Sequence, residues 1–273
     1  MPEQSVPICG VAGNPIGHSK SPVIHQQFAA QFDMPLEYQA HLVAVDGFTK
    51  FVHQFQSAGG LGLNITLPFK AAAFELADES SEAAQQAKAA NTLVLSSDRI
   101  VGENTDGVGL LRDIESNLGV SLQHCRLLVL GAGGAVRGIL HPLLRAGPDE
   151  IVIANRTPEK ADLLAGLFTE RVFTMPLESL AEEAFDVVLN ATSASLAGEL
   201  PCISAEMFNN TLLAYDLMYA NRPTPFMNLA SKTGVEQVSD GLGMLVEQAA
   251  VSFLIWHGQM PDTRPVIDLL RQQ

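Results

Sequence analysis

The stretch CRLLVLGAGGAVRGILHPLLRAG, residues 125–147, sets three glycines between an apolar run and a helical pattern. Gly131, Gly133 and Gly134 follow the run directly, where small residues let the backbone approach a pyrophosphate at a helix N-terminus. The third position of this fingerprint is Val136 instead of glycine. The stretch therefore predicts the first strand, turn and helix of a dinucleotide-binding domain, with an ordinary tight turn as the alternative.

The next strand, in EIVIANRT at residues 150–157, indicates which dinucleotide. An NAD site usually carries Asp or Glu about 20 residues after the glycines, to bind the ribose 2′-hydroxyl. No carboxylate stands there, whereas Arg156 can bind a 2′-phosphate in a fork, and Asn155 and Thr157 can donate to it. A surface arginine and a helix cap at Thr157 before Pro158 are the plain alternatives. The pattern favours NADP over NAD.

Strand and helix patterns alternate along most of the chain, which is typical of a mainly parallel sheet covered by helices. Roughly 100 residues of this kind precede the glycine turn, about the size of a domain. We therefore expect two α/β domains with a cleft between them. The first is an N-terminal α/β domain, residues 1–106 with 241–273, to which a C-terminal helix returns. The second is a Rossmann-type doubly wound domain, residues 107–240.

Local signals place several element ends. Ser21 followed by Pro22 predicts a helix that starts with Ser21 as N-cap. A second helix is predicted over residues 69–79. Gly119 is expected to end the helix that begins near residue 106.

Composition limits the function classes. The formal net charge is −14 over 273 residues, which disfavours nucleic acid and anionic membranes as partners. Cys9, Cys125 and Cys202 are odd in number and far apart, as expected of buried or free thiols in a reducing compartment. No membrane span, secretory signal or metal-binding motif is apparent. We expect a cytoplasmic protein, monomeric or homodimeric, that binds no metal.

Lys70 is unusual in the stretch GLGLNITLPFKAAAFE, residues 60–75, because Lys50 and Glu75 are its nearest charged neighbours in sequence. An ammonium in apolar surroundings needs solvent or a partner. Asp106 in GENTDGVG is one candidate, although Asp-Gly is also common in turns and Asp is a good N-cap.

Further polar candidates have equally ordinary alternatives as caps or turn residues: Ser19 and Ser21 in HSKSPVIH, and Asn91 and Thr92 in KAANTLVL.

Taken together, the motifs resemble the shikimate dehydrogenase family. They occur in family order across nearly the whole chain: GNPIGHSKSPVIH (13–25), NITLPFK (64–70), AANTL (89–93), NTDGVG (104–109), GAGGAVRG (131–138), NRT (155–157), NATS (190–193), YDLMYANRPTPF (215–226) and GLGMLVEQAA (241–250). Gln26 and Ala90 depart from the usual family residues, Asn and Val.

The resemblance implies reversible, NADPH-dependent reduction of 3-dehydroshikimate to shikimate, a step of chorismate and aromatic amino-acid biosynthesis. It implies Lys70 and Asp106 as the catalytic pair. The residues that it implies for substrate binding are Ser19, Ser21 and Tyr219 at the carboxylate, and Asn64, Thr66, Asn91 and Gln248 at the ring hydroxyls. Those implied for NADP are the turn Gly131, Ala132, Gly133, Gly134 and Ala135, the triplet Asn155, Arg156 and Thr157, and Leu217 and Gly241 at the nicotinamide.

Two questions stay open at this level. Lys70 either transfers the proton or mainly orients the substrate. Two rival functions are a quinate/shikimate dehydrogenase that uses NAD or both cofactors, and a catalytically silent dinucleotide-binding regulator. In every case a catalytic pair requires the turn at 104–107 to lie beside strand 61–66.

Overall fold

The structure is a computed structural model that describes residues 6–168, 171–192, 194–200 and 203–272. Cys202, and Ser193 of the NATS motif, lie outside the described residues. The described chain forms two compact units. The first runs to Gly109 and resumes with Val246–Gln272, and the second is Leu110–Leu245.

The strands, in chain order, are β1 (Ile8–Gly13), β2 (Glu37–Leu42), β3 (Gly60–Ile65), β4 (Glu79–Ser80), β5 (Thr92–Leu95), β6 (Ile100–Glu103), β7 (Arg126–Leu130), β8 (Glu150–Ala154), β9 (Val172–Thr174), β10 (Val187–Asn190), β11 (Leu213–Asp216) and β12 (Gln237–Asp240). The α-helices are α1 (Ser21–Ala30), α2 (Phe48–Ser57), α3 (Lys70–Leu76), α4 (Glu82–Ala87), α5 (Asp106–Arg112), α6 (Gly134–Arg145), α7 (Pro158–Ala165), α8 (Pro225–Lys232), α9 (Leu242–His257) and α10 (Arg264–Arg271).

The first unit contains a mixed sheet in the order β2-β1-β3-β5-β6-β4. Strands β1, β2 and β3 are parallel, whereas β5 and β6 form an antiparallel hairpin beside β3. Because β3 and β5 are antiparallel neighbours, the residues that follow β3 lie beside those that precede β5, at the same end of the two strands. Ile65 N–H donates to Asn91 O at 2.7 Å there.

Two local predictions in this unit are wrong. Ser21 is the first residue of α1 and Lys20 is the N-cap, without a side-chain cap; the N–H of Ser21 instead donates to Ser19 Oγ at 3.3 Å. The helix predicted over 69–79 ends at Leu76, because Glu79–Ser80 pairs with β6. Sheet pairing outweighs helix propensity at that point.

The second unit contains a parallel sheet in the order β12-β11-β10-β7-β8-β9. This is the order of a doubly wound Rossmann sheet, whose direction of winding reverses between β7 and β10. Ligands of such sheets bind at the carboxyl ends of the strands beside that point. Strands β7 and β10 are buried along nearly their whole length, as expected of strands covered on both faces.

Helix α5 continues into a π-helical turn, Asp113–Asn117, and Gly119 follows at a φ of +71°, so the chain stops where glycine predicted an end. Helix α9 begins in the second unit and supplies Val246 onward to the first. Within the first unit it is anchored by Trp256, whose Nε1–H donates to Leu93 O at 3.1 Å. In the described ranges, no helix has the length and apolar character needed to cross a membrane.

Candidate active site

Lys70 is placed by the turn that joins β3 to α3. The N–H of Phe69 donates to Thr66 O at 3.0 Å and closes the turn. The Phe69 ring is buried and stacks on Phe48 with centroids 4.7 Å apart, which anchors the start of the helix. Lys70 is the first residue of α3. A buried aromatic contact therefore fixes the backbone from which the lysine side chain extends.

The partner of Lys70 is Asp106, as expected from the lysine's isolation in sequence. Lys70 Nζ lies 2.5 Å from Asp106 Oδ2, and the two side chains are 32% and 13% exposed. Asp106 opens α5, yet its carboxylate is used for this contact. The first N–H of the helix is instead bound by Asn104, whose Oδ1 accepts the N–H of Asp106 at 3.1 Å. The carboxylate is therefore available for chemistry.

Asn91 holds the other oxygen of the same carboxylate. Its Oδ1 accepts the backbone N–H of Thr105 at 2.8 Å, which fixes the orientation of the amide. Its Nδ2 then donates to Asp106 Oδ1 at 2.9 Å and faces Gln248 Oε1 at 3.2 Å. We call Lys70, Asn91, Asp106 and Gln248 the polar cluster. With one oxygen on an ammonium and the other on an amide, the carboxylate is fixed in rotation.

Gln248 reaches the cluster because α9 approaches α5 closely. A Cβ added to Gly109 would lie 2.6 Å from Gln248 Cβ and 2.7 Å from its backbone nitrogen. Only glycine fits such an approach. The second glycine of NTDGVG thus sets the position of a side chain that is far away in the sequence.

Asn64 lies below the cluster on β3 and is 5% exposed. Burial raises the pKa of the Tyr38 hydroxyl well above its ordinary value, so the hydroxyl keeps its proton and donates to Asn64 Oδ1 at 2.7 Å. That bond turns Nδ2 of Asn64 toward Thr92 and Ser252, at 3.2 and 3.0 Å. Both amide hydrogens are therefore used within the protein.

Sequence reasoning missed part of this network. Tyr38 and Ser252 carry no motif, although Ser252 stands four residues after Gln248 in the apolar helix α9. That i, i+4 spacing places both polar side chains on one helix face and could have revealed the serine. Nothing local in EYQAHL distinguishes Tyr38 from a core tyrosine. The remaining predicted residues of this unit, Ser19 and Thr66, are half-buried, and Ser21 is buried.

In the second unit the glycine turn leaves open space at the start of α6. Gly131 has a φ of +110°, a conformation that favours glycine, and a Cβ there would lie 3.2 Å from the carbonyl of Ala191 after β10. Gly133 is the N-cap of α6, without a side-chain cap, and the space beside Gly133 and Gly134 is open. Val136, at the departing position, is fully buried in the core. The helix N-terminus thus retains N–H groups that suit an anion.

The triplet after β8 is also accessible. Arg156 and Thr157 are exposed, and Thr157 occupies the N-cap position of α7 without a side-chain cap bond. Asn155 Nδ2 donates to Thr157 O at 2.8 Å and shapes the turn. The hydroxyl of Thr157 is therefore not committed to the helix, and the strand end carries no carboxylate.

Leu217 and Gly241 meet at the carboxyl ends of β11 and β12. Leu217 N–H donates to Asn190 O at 2.9 Å, and Gly241 N–H donates to Met218 O at 3.1 Å. Tyr219 follows in the same loop, where burial raises the pKa of its hydroxyl. Of the described cysteines, Cys9 and Cys125 are free and buried, and burial raises the pKa of Cys9 to about 12, which makes it an inert thiol.

Comparison with known families accounts for both units. The shikimate dehydrogenase substrate binding domain matches residues 11–93, shikimate / quinate 5-dehydrogenase matches 113–218, and the shikimate 5'-dehydrogenase C-terminal domain matches 241–271. The chain belongs to the shikimate dehydrogenase family.

Individual shikimate dehydrogenases are similar over almost the entire chain. The shikimate dehydrogenase (NADP(+)) of Nitrosospira multiformis is 49% identical over 263 residues, 96% of each chain. A solved Ael1 enzyme from Pseudomonas putida has 52% identity and a TM-score of 0.94, over 97% of this chain and 98% of that one. The shikimate 5-dehydrogenase of Thermus thermophilus in complex with NADP(H) and shikimate has 32% identity and a TM-score of 0.89, over 98% and 99%.

These comparisons confirm the family and the α/β fold class expected from the motifs. Two residues differ from those usual in the family. Gln26 is exposed, and Ala90 is buried in the core of the first unit beside Asn91.

Proposed function

We propose that this chain is an NADP-dependent shikimate dehydrogenase that interconverts shikimate and 3-dehydroshikimate. In the oxidation direction, shikimate and NADP⁺ give 3-dehydroshikimate, NADPH and a proton. The first unit supplies the substrate site and the second the cofactor site. The proposal includes four further predictions. The protein is cytoplasmic, is a monomer or homodimer, acts in chorismate biosynthesis, and binds neither nucleic acid nor membrane.

The observation that carries the proposal is the contact of Lys70 Nζ with Asp106 Oδ2 at 2.5 Å. Oxidation of an alcohol requires a group that accepts the hydroxyl proton while hydride leaves the carbon. A partly exposed lysine and carboxylate in contact provide such a group at a position that a substrate can reach. A regulator without catalytic function would need neither residue.

This contact supports a catalytic step in which the pair accepts and returns one proton. The reacting hydroxyl of shikimate lies against Lys70 and Asp106, and its proton passes to the pair as the carbon–oxygen double bond forms. In the reverse reduction the pair returns the proton to the new alkoxide. Asn91 keeps the carboxylate of Asp106 aligned throughout through its 2.9 Å bond.

The remaining residues of the first unit bind and orient the substrate in this proposal. Ser19 and Ser21 bind the carboxylate, and Thr66, Asn91 and Gln248 bind the ring hydroxyls. Asn64 has both N–H groups in use, so a substrate hydroxyl would donate to its Oδ1, which accepts one bond from Tyr38. Tyr219, in the second unit, is proposed to bind the carboxylate as well.

When bound, NADP supplies the hydride acceptor or donor. The residues of the second unit fit it: Gly131–Ala135 and the N-terminus of α6 suit the pyrophosphate, and Leu217 and Gly241 suit the nicotinamide. Arg156 is exposed directly after β8, with Asn155 and Thr157 beside it, and is proposed to bind the 2′-phosphate. A guanidinium there favours NADP over NAD.

The experiment that tests the proposal is a kinetic comparison of shikimate and quinate, each with NADP⁺ and NAD⁺. We expect the highest kcat/KM with shikimate and NADP⁺. A preference for quinate with NAD⁺ would support the sibling enzyme instead. Cofactor binding without turnover of either substrate would support the silent regulator.

A further inference from the structure

Ser252 occupies the centre of the buried network beneath the polar cluster. It lies on α9 and is 0% exposed. Its Oγ lies 3.0 Å from Asn64 Nδ2, 2.8 Å from Thr92 Oγ1 and 3.4 Å from Thr105 Oγ1, and it is 3.1 Å from the carbonyl of Gln248. A single hydroxyl therefore contacts residues on β3, β5, the turn before α5, and its own helix.

The donors and acceptors around Ser252 can be assigned consistently. Its hydroxyl hydrogen goes to Thr92 Oγ1, which donates its own hydrogen to Asn91 Oδ1. Its two lone pairs then accept the Nδ2–H of Asn64 and the hydroxyl of Thr105. This fills the hydrogen-bonding capacity of a serine. The network has a defined direction because every donor and acceptor atom of Ser252 has an assigned partner.

Thr92 and Thr105 connect Ser252 to Asn91. Thr92 Oγ1 lies 3.1 Å from Asn91 Oδ1, and Thr105 Oγ1 accepts the Nδ2–H of Asn91 at 2.9 Å. We call Thr92, Thr105 and Ser252 the hydroxyl cluster. Asn91 in turn binds Asp106. A path of hydrogen bonds thus runs from Ser252 to the carboxylate of the proposed catalytic pair.

We propose that Ser252 is a positioning residue for the reaction: it fixes Asn64 directly, and Asn91 through Thr92 and Thr105, in the orientations that shikimate requires. This inference rests on the proposed function. Within the described part of the chain, the hydrogen bonds of Ser252 go to Asn64, Thr92, Thr105 and the carbonyl of Gln248, and not to residues proposed to bind the substrate carboxylate or the cofactor. Ser252 is expected to act only through the amides that meet the ring hydroxyls and align Asp106.

The physical basis is the low tolerance of a preorganised site. Loss of the Ser252 oxygen would leave a buried N–H of Asn64 without its acceptor, or let the amide rotate to find another. Rotation would move Oδ1 of Asn64, the atom proposed to accept a hydrogen bond from a hydroxyl of the shikimate ring. Misplacement by about 1 Å can lower a rate by about 100-fold.

The test is steady-state kinetics of the full chain with Ser252→Ala, compared with Thr211→Val as matched control. Thr211 is buried and donates to Phe185 O at 2.9 Å before β11, so its variant also loses one buried hydroxyl bond. For Ser252→Ala we expect kcat/KM for shikimate to fall about 10- to 100-fold, with KM for NADP⁺ within about two-fold of wild type. Thr211→Val is expected to lose stability without either kinetic change.

A second pair keeps the test decisive if Ser252→Ala does not fold. Thr92→Val keeps the shape of threonine but removes its hydroxyl, whereas Thr92→Ser keeps the hydroxyl. The proposal expects Thr92→Val to lose activity with shikimate and Thr92→Ser to retain most of it. If every folded variant among Ser252→Ala and Thr92→Val keeps wild-type kcat/KM, the positioning role is refuted while the proposed function stands. An inactive wild-type chain would instead refute the function itself.

Discussion

Acidification should destabilise the first unit through His25. The imidazole is fully buried, stacks on Tyr38 with centroids 4.3 Å apart, and finds no hydrogen-bond partner for either nitrogen among the described residues. Burial lowers its pKa from 6.5 to about 3. The folded protein therefore keeps this histidine neutral, while the unfolded chain takes up a proton below pH 6.5.

The sign and size follow from linkage. Because the unfolded state binds more protons below pH 6.5, the free energy of unfolding falls as the pH falls. One pKa unit corresponds to about 1.4 kcal/mol, so between pH 8 and pH 5 His25 should remove about 2 kcal/mol. The full loss, reached below the folded pKa near 3, would approach about 5 kcal/mol.

The assay is urea unfolding at pH 8 and pH 5, followed by the fluorescence of Trp256. This is the chain's single tryptophan, and its ring lies 5.4 Å from that of His25, so it reports on the same unit. His25→Phe keeps the aromatic stacking and removes the titrating group. The loss of stability between the two pH values should be about 2 kcal/mol smaller in the variant. Burial also lowers the pKa of His41 and His257, which both proteins retain; the larger difference between the two proteins is the titration of His25 itself.

An equal loss in wild type and variant would refute the reasoning, because His25 would then titrate alike in the folded and unfolded states. A lower free energy of unfolding of His25→Phe at both pH values would not refute it, because the test compares only how much each protein loses between pH 8 and pH 5.

Three further predictions address the proposed site and its packing. Lys70→Ala should lower kcat by about 10²- to 10⁴-fold while NADPH still binds in a fluorescence titration, and near-native turnover would contradict a catalytic role. Arg156→Ala should raise KM for NADP⁺ far more than for NAD⁺; equal changes would remove the 2′-phosphate contact from the proposal. Gly109→Val should cost about 1–3 kcal/mol in urea unfolding, because its Cβ would lie 2.6 Å from that of Gln248, and unchanged stability would mean that α9 can move away.

Short-range signals in the sequence were reliable where one local rule acts alone. The strand, turn and helix around Gly131 formed as predicted, and Gly119 follows the end of its helix at positive φ. The Ser-Pro signal at residue 21 failed because the preceding loop places Ser19 Oγ, rather than Ser21 Oγ, beside a backbone N–H at the helix start. Several residues could fill that position, and local pattern does not choose among them.

The sequence by itself determined the family, the two kinds of α/β unit and the need of Lys70 for a distant partner, and it predicted the preference for NADP at Arg156. These follow from motif order, hydrophobic period and charge, which are properties of neighbouring residues. Only the tertiary structure decided how the site is held. Lys70 and Asp106 are 36 residues apart in the sequence. The separation is 157 residues between Asn91 and Gln248, and 188 residues between Asn64 and Ser252. Hydrogen bonds across such separations depend on which strands pair and how closely α9 packs, so the roles of Tyr38 and Ser252 emerge only when the chain is folded.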